Sequence, residues 1–192
     1  MLFYYRTEEQ LGYVVLTQLK TSGANVKQMM ILVQGDAYDP IYVTDRIEVF
    51  VQNFRKSLVA MPAEEFATNI EAVVQILTEK KKNLPEESYN HWLYISNDTF
   101  EFDRTKKIAE IAKTVTKEDV LRLFDRFMLA GSPDRRKLSV QTFGSGHLDL
   151  IDKPVPEGVH RVTGIDDFVR HVHLYPLSPR VEITDAMRMP SE

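Results

Sequence analysis

Two alternating runs followed by a lasting change of period limit what this chain can fold into. Tyr13–Leu19 is rich in β-branched and aromatic residues and reads as a strand. Val26–Gln34 sets Val26, Gln28, Met30 and Leu32 against Lys27, Met29, Ile31 and Val33, half-polar at its start and apolar at its end. Thr21-Ser22-Gly23-Ala24-Asn25 between them is turn chemistry, so the pair predicts an antiparallel hairpin. Gly35–Pro40 reads as a loop, and from Ile41 the spacing is helical. Ile47, Phe50, Val51, Phe54 and Leu58 recur at i, i+3, i+4, i+7 and i+11, a stripe for one core face.

Further helices follow. Met61-Pro62 ends the first and starts a second, with Pro62 in its first turn, Glu64-Glu65 at its positive end and a stripe of Phe66, Ile70, Val73, Val74 and Leu77. Asn83-Leu84-Pro85 breaks it, and Pro85-Glu86-Glu87 opens a third helix carrying Tyr89, Trp92 and Leu93, with Trp92 expected in the core. Arg104–Val115 reads as a short helix with Ile108, Ile111, Ala112 and Val115 inward. Thr116-x-x-Asp119 resembles a capping box for a last long helix, stopped by Ala130-Gly131-Ser132-Pro133. Lys137–Phe143 alternates again and reads as a late strand. Few strands and many helices predict an α+β fold: a small antiparallel sheet, the hairpin plus the late strand, covered on one face by about five helices. Residues 1–143 are expected to form that domain, and 144–162 a Gly/Pro-rich linker. Residues 163–179 read as a short helix and extended segment packing back, and 180–192 as a loose tail.

Composition excludes several classes. A formal net charge of −4, with no Lys/Arg run interleaved with aromatics, argues against a nucleic-acid partner. Lys80-Lys81-Lys82 reads as a helix end favoured by the dipole. No apolar run approaches the ~20 residues of a membrane span. The chain has no cysteine, which excludes disulfide and thiol chemistry and fits a cytoplasmic or organellar interior.

The chemistry of interest lies in Tyr5–Leu19. Arg6 offers a planar fork of N–H donors and Tyr13 a phenol able to donate to developing negative charge. Thr7, Glu8, Glu9 and Gln10 read as a helical turn and Gly12 as its stop. On a plain strand, positions seven apart face opposite ways. Through a helical turn they return to nearly one face, roughly 10 Å along the axis. Taken alone, Arg6 is a solvated turn charge and Tyr13 a packing residue with a wet hydroxyl. The segment Arg6-Thr-Glu-Glu-Gln-Leu-Gly-Tyr13, however, resembles one in the C-terminal half of the insulysin and nardilysin branch of the pitrilysin-like metalloproteases. The similarity continues through Val33-Gln34, Thr116-Lys117-Glu118-Asp119, Arg135-Arg136-Lys137-Leu138-Ser139-Val140 and Ile165-Asp166-Asp167-Phe168.

That resemblance implies a C-terminal domain that begins inside its fold, its first strands missing, and that forms a non-catalytic wall of a closing peptidase chamber. It implies that Arg6 and Tyr13 reach across to a zinc site in the N-terminal catalytic half of the same enzyme. There Arg6 would hold substrate carbonyls or help orient Tyr13, and Tyr13 would donate to the oxyanion as a metal-bound water attacks an unstructured peptide. The family's zinc motif, His-x-x-Glu-His, is not formed by His91, His147, His160, His171 or His173. The chain is therefore expected to carry no cofactor of its own, with zinc in the parent enzyme, and to be inactive alone. His171 and His173 would share a face if extended and so could hold a stray metal ion, but such a pair is far more often two surface or half-buried residues. Two other functions stay open: a structural or assembly subunit on the same fold, and a stand-alone peptide-binding module that adds a strand along Val14–Leu19.

Overall fold

A computed structural model describes residues 11–22, 26–96 and 100–171. They fall into two compact units, 11–43 with 140–171, and 44–139. The architecture is α+β, as the sequence predicts: one antiparallel hairpin and a series of helices.

In the first unit, β1 (Val14–Ser22) pairs with β2 (Val26–Gln34) in a register that sets Val15 opposite Val33 and Thr17 opposite Ile31. Side chains alternate between the faces of a strand, so these four share one face. Val15 is buried there, while Leu16 and Leu32, opposite each other on the other face, are exposed. At the far end of the ladder Leu19 and Met29 are opposed and both exposed. Residues 23–25 of the expected turn lie outside the described residues. After β2, Asp39 Oδ1 accepts from the Ile41 and Tyr42 N–H groups at 2.9 and 3.0 Å. It thereby satisfies donors that the first turn of a helix leaves without partners. Later in the chain, Ser145–Leu150, within the stretch read as a linker, forms two short 3₁₀ turns that meet at a kink at His147.

The second unit takes its core from α1 (Pro40–Ala60), whose Phe50, Val51 and Leu58 are buried as their spacing predicts. Phe54 meets Phe124 of α5 (Lys117–Phe127) at a centroid distance of 5.9 Å. Beside them Arg55 grips Asp125 with two hydrogen bonds of 2.5 and 2.7 Å. Lys117 Nζ reaches the carbonyls of Val59 and Met61, at 3.1 and 3.0 Å, and so places a cation at the negative end of α1. The capping box of α5 is complete: Asp119 N–H donates to Thr116 Oγ1 at 3.1 Å, and Thr116 N–H to Asp119 Oδ2 at 3.0 Å.

Between these elements, α2 (Ala63–Thr78) packs on α4 (Arg104–Ala112). On α4 Ala109 is fully buried, while Ile108, also expected inward, is 39% exposed. Ile111, expected inward, is 63% exposed. Phe66, Ile70 and Val74 of α2 line an open groove with Val115. α3 (Leu84–Ser96) carries Trp92, which is 62% exposed instead of buried in a core. Among the described residues no helix is long and apolar enough to cross a membrane.

The late strand expected over 137–143 is not formed, and the sheet of the described residues has two strands. Alternation specifies two faces but supplies no partner edge, and a ladder needs both. Here Arg135 and Lys137 are drawn to Glu48 instead, with Nη1 and Nη2 of Arg135 at 2.9 and 2.8 Å and Nζ of Lys137 at 2.6 Å. Val140, just beyond, is 85% exposed. Burial alone would raise the Glu48 pKa; the two cations outweigh it and hold the carboxyl below its ordinary value.

Candidate functional site

Of the two residues singled out by the sequence, Tyr13 is described; Arg6 and the turn Thr7–Gln10 lie outside the described residues. Tyr13 sits at a bend immediately before β1, not within a strand as read from its type. Its side chain is 61% exposed. The residues before it are anchored tightly. Leu11 is 1% exposed and fixes the backbone on the core side. Gly12 then crosses the end of β2 so closely that a Cβ built on it would lie 2.3 Å from the Gln34 carbonyl oxygen. Gly35 has the reciprocal constraint: its Cβ would lie 2.7 Å from the Leu11 oxygen and 2.8 Å from the Gly12 Cα. Two glycines are what permit this approach of backbone to backbone.

The arrangement presents an exposed phenol from a backbone held by a buried leucine on one side and a ladder on the other. Such a group is able to donate a hydrogen bond to a carbonyl oxygen outside its own unit without first paying to order its main chain. Gly12 is therefore more than the turn stop that the sequence suggested. Its role depends on Gln34 and Gly35, which no local pattern announces.

The histidines fall differently from the expectation. His173 lies outside the described residues, and His171 meets His160 and Asp167 instead. These three do not reproduce His-x-x-Glu-His, so this cluster is not the zinc centre of a pitrilysin-type peptidase. The signal that could have found them was Asp167-x-x-x-His171, one helical face apart.

Comparison with known proteins points the same way as the octapeptide. The family described as PQQ synthase PqqF-like, C-terminal lobe domain 4, matches residues 2–92. Insulin-degrading enzyme-like 1, peroxisomal, of Arabidopsis thaliana is 31% identical over 173 residues, covering 90% of this chain and 18% of that protein. Human insulin-degrading enzyme is 26% identical over 186 residues, again covering 90% of this chain and 18% of the relative. The crystal structure of pitrilysin superposes with a TM-score of 0.58 at 27% identity, over 65% of this chain and 13% of that one. The fold and sequence are those of a C-terminal lobe domain of the kind the matched family describes. Specifically, the chain belongs to the pitrilysin family, in its insulysin branch. It spans less than a fifth of the length of these relatives.

Proposed function

We propose that this domain supplies substrate-binding and transition-state-stabilising groups, Arg6 and Tyr13, to a peptidase centre whose zinc is held by the N-terminal half of the same enzyme. The observation that carries the reading is Tyr13, solvent-facing on a main chain fixed by Leu11 and the Gly12/Gly35 crossing. The phenol O–H donates to the carbonyl oxygen of an unstructured peptide, and the bond strengthens as that oxygen gains charge. The Arg6 guanidinium holds a neighbouring backbone carbonyl and so fixes the register of the peptide. No step of metal chemistry is assigned to this chain, since its own residues do not form that centre.

The test separates binding from catalysis. In an intact enzyme carrying this domain, Arg6→Ala raises KM for a labelled unstructured peptide, while Tyr13→Phe lowers kcat with KM little changed. Equal peptide affinity in the wild type and Arg6→Ala would remove Arg6 from the site.

A further inference from the structure

Ahead of α6 (Ile165–His171) the chain folds back on itself. Gly158, at φ +78°, turns it, with Val159 N–H donating to the Pro156 carbonyl at 3.1 Å. Arg161 Nη2 donates to the Lys153 carbonyl at 2.6 Å. The turn delivers His160 to the face of α6 that carries Asp167 and His171, four residues apart. His160 Nε2 lies 3.0 Å from Asp167 Oδ1 and 3.1 Å from Oδ2. His171 Nδ1 lies 3.0 Å from Oδ1 and 2.9 Å from the Asp167 carbonyl oxygen. Oδ2 also accepts from Thr163 N–H at 2.8 Å and from Thr163 Oγ1 at 3.2 Å. The Thr163 N–H foremost, with His160 behind it, holds the carboxyl below the ordinary carboxylate range.

We propose that His160, Asp167 and His171 form a binding site for one zinc ion, with the fourth coordination position left to water. The donor set is two imidazole nitrogens and one carboxylate oxygen, a set suited to zinc and poorly suited to calcium or magnesium, which take oxygen ligands. Zinc bonds of about 2.0–2.2 Å in a tetrahedron set neighbouring donor atoms roughly 3.3–3.5 Å apart. Here each imidazole nitrogen is 3.0 Å from the shared oxygen, and all three donors lie within 4.8 Å of one another. A hydrogen-bonded carboxylate is also what a metal ligand needs behind it, and Thr163 supplies those bonds.

The two rings are stacked, with centroids 3.7 Å apart and planes 21° apart. Because an imidazole binds an ion in its own plane, one ring leaves the stack on binding. Both rings are substantially exposed, and exposed side chains change rotamer within ps–ns.

The proposal is tested on the chelator-treated full chain by calorimetric titration with zinc chloride near neutral pH. The variants are Asp167→Asn, His171→Gln and His160→Gln; the last lies in a loop and leaves α6 intact, which circular dichroism verifies. The wild type is expected to bind one zinc ion per chain. Each variant is expected to bind at least about tenfold more weakly. Cobalt(II) should give the visible absorption of a tetrahedral nitrogen–oxygen site in the wild type and lose it in His160→Gln. Zinc should also shift the ring proton resonances of His160 and His171. Absence of stoichiometric binding by the wild type, or binding by a folded His160→Gln chain equal to that of the wild type, overturns the proposal.

Discussion

Replacing Gly12 by alanine adds one methyl group at the place where this domain has least room for it. The new Cβ would stand 2.3 Å from the Gln34 carbonyl oxygen, 2.8 Å from the Gln34 carbonyl carbon and 3.2 Å from the Gly35 nitrogen. All three are backbone atoms, two of them at the end of a ladder, so no flexible side chain can yield. The chain must part the crossing, which shifts both the end of β2 and the bend bearing Tyr13. Overpacking of this kind costs about 1–3 kcal/mol. In a domain of this size each kcal/mol moves the midpoint by about 2–4 °C. Thermal and urea unfolding followed by circular dichroism read the effect directly. Gly146→Ala is the control: a Cβ there meets nothing within 4 Å, and the change should be neutral or stabilising by about 0.4–1 kcal/mol. Because the displaced residue precedes Tyr13, Gly12→Ala should also lower kcat in an intact enzyme carrying the domain. A Gly12→Ala chain as stable as wild type, with unshifted amide resonances from Leu11 to Val15, would refute the close-approach argument.

Two further outcomes follow from the second unit. The Glu48 carboxyl is held below its ordinary value, so its ion pairs contribute stability above the unfolded-state pKa of about 4.5, and that contribution is lost as pH falls through the lower folded-state value. Urea midpoints measured from neutral pH down to about pH 3 should therefore fall more steeply for wild type than for Glu48→Gln. At neutral pH the variant should be less stable by about 1–3 kcal/mol. Thr116→Ala removes one half of the α5 capping box and should cost about 1 kcal/mol, measured by urea unfolding.

What could be read from the sequence was local, and what could not depended on partners far along the chain. The Thr116/Asp119 box and the Phe50-Val51-Leu58 stripe are set by residues within a few turns of one another, and both formed where their spacing placed them. The same holds for β2 and the antiparallel hairpin. The late strand failed because Leu138 and Val140 specify alternation without specifying an edge to pair with. The α4 stripe failed at Ile108 and Ile111, which are exposed while Ala109 beside them is buried, because spacing marks an apolar face without saying which neighbour covers it. The octapeptide singles out Tyr13 as a candidate, but it does not contain the reason the backbone there is fixed. Gly12 meets Gly35, 23 positions away in the sequence. A strand period would set His171 beside His173, but α6 has a period of 3.6 and turns His171 toward Asp167.

The most direct measurement is single-turnover and steady-state cleavage of an unstructured peptide by an intact enzyme carrying Tyr13→Phe. The bond from the phenol gains most of its strength as charge develops on the carbonyl oxygen, so a fall in kcat of about 10²–10³ is predicted, with peptide affinity little changed. Wild-type turnover in that variant, or a loss confined to affinity, would contradict it.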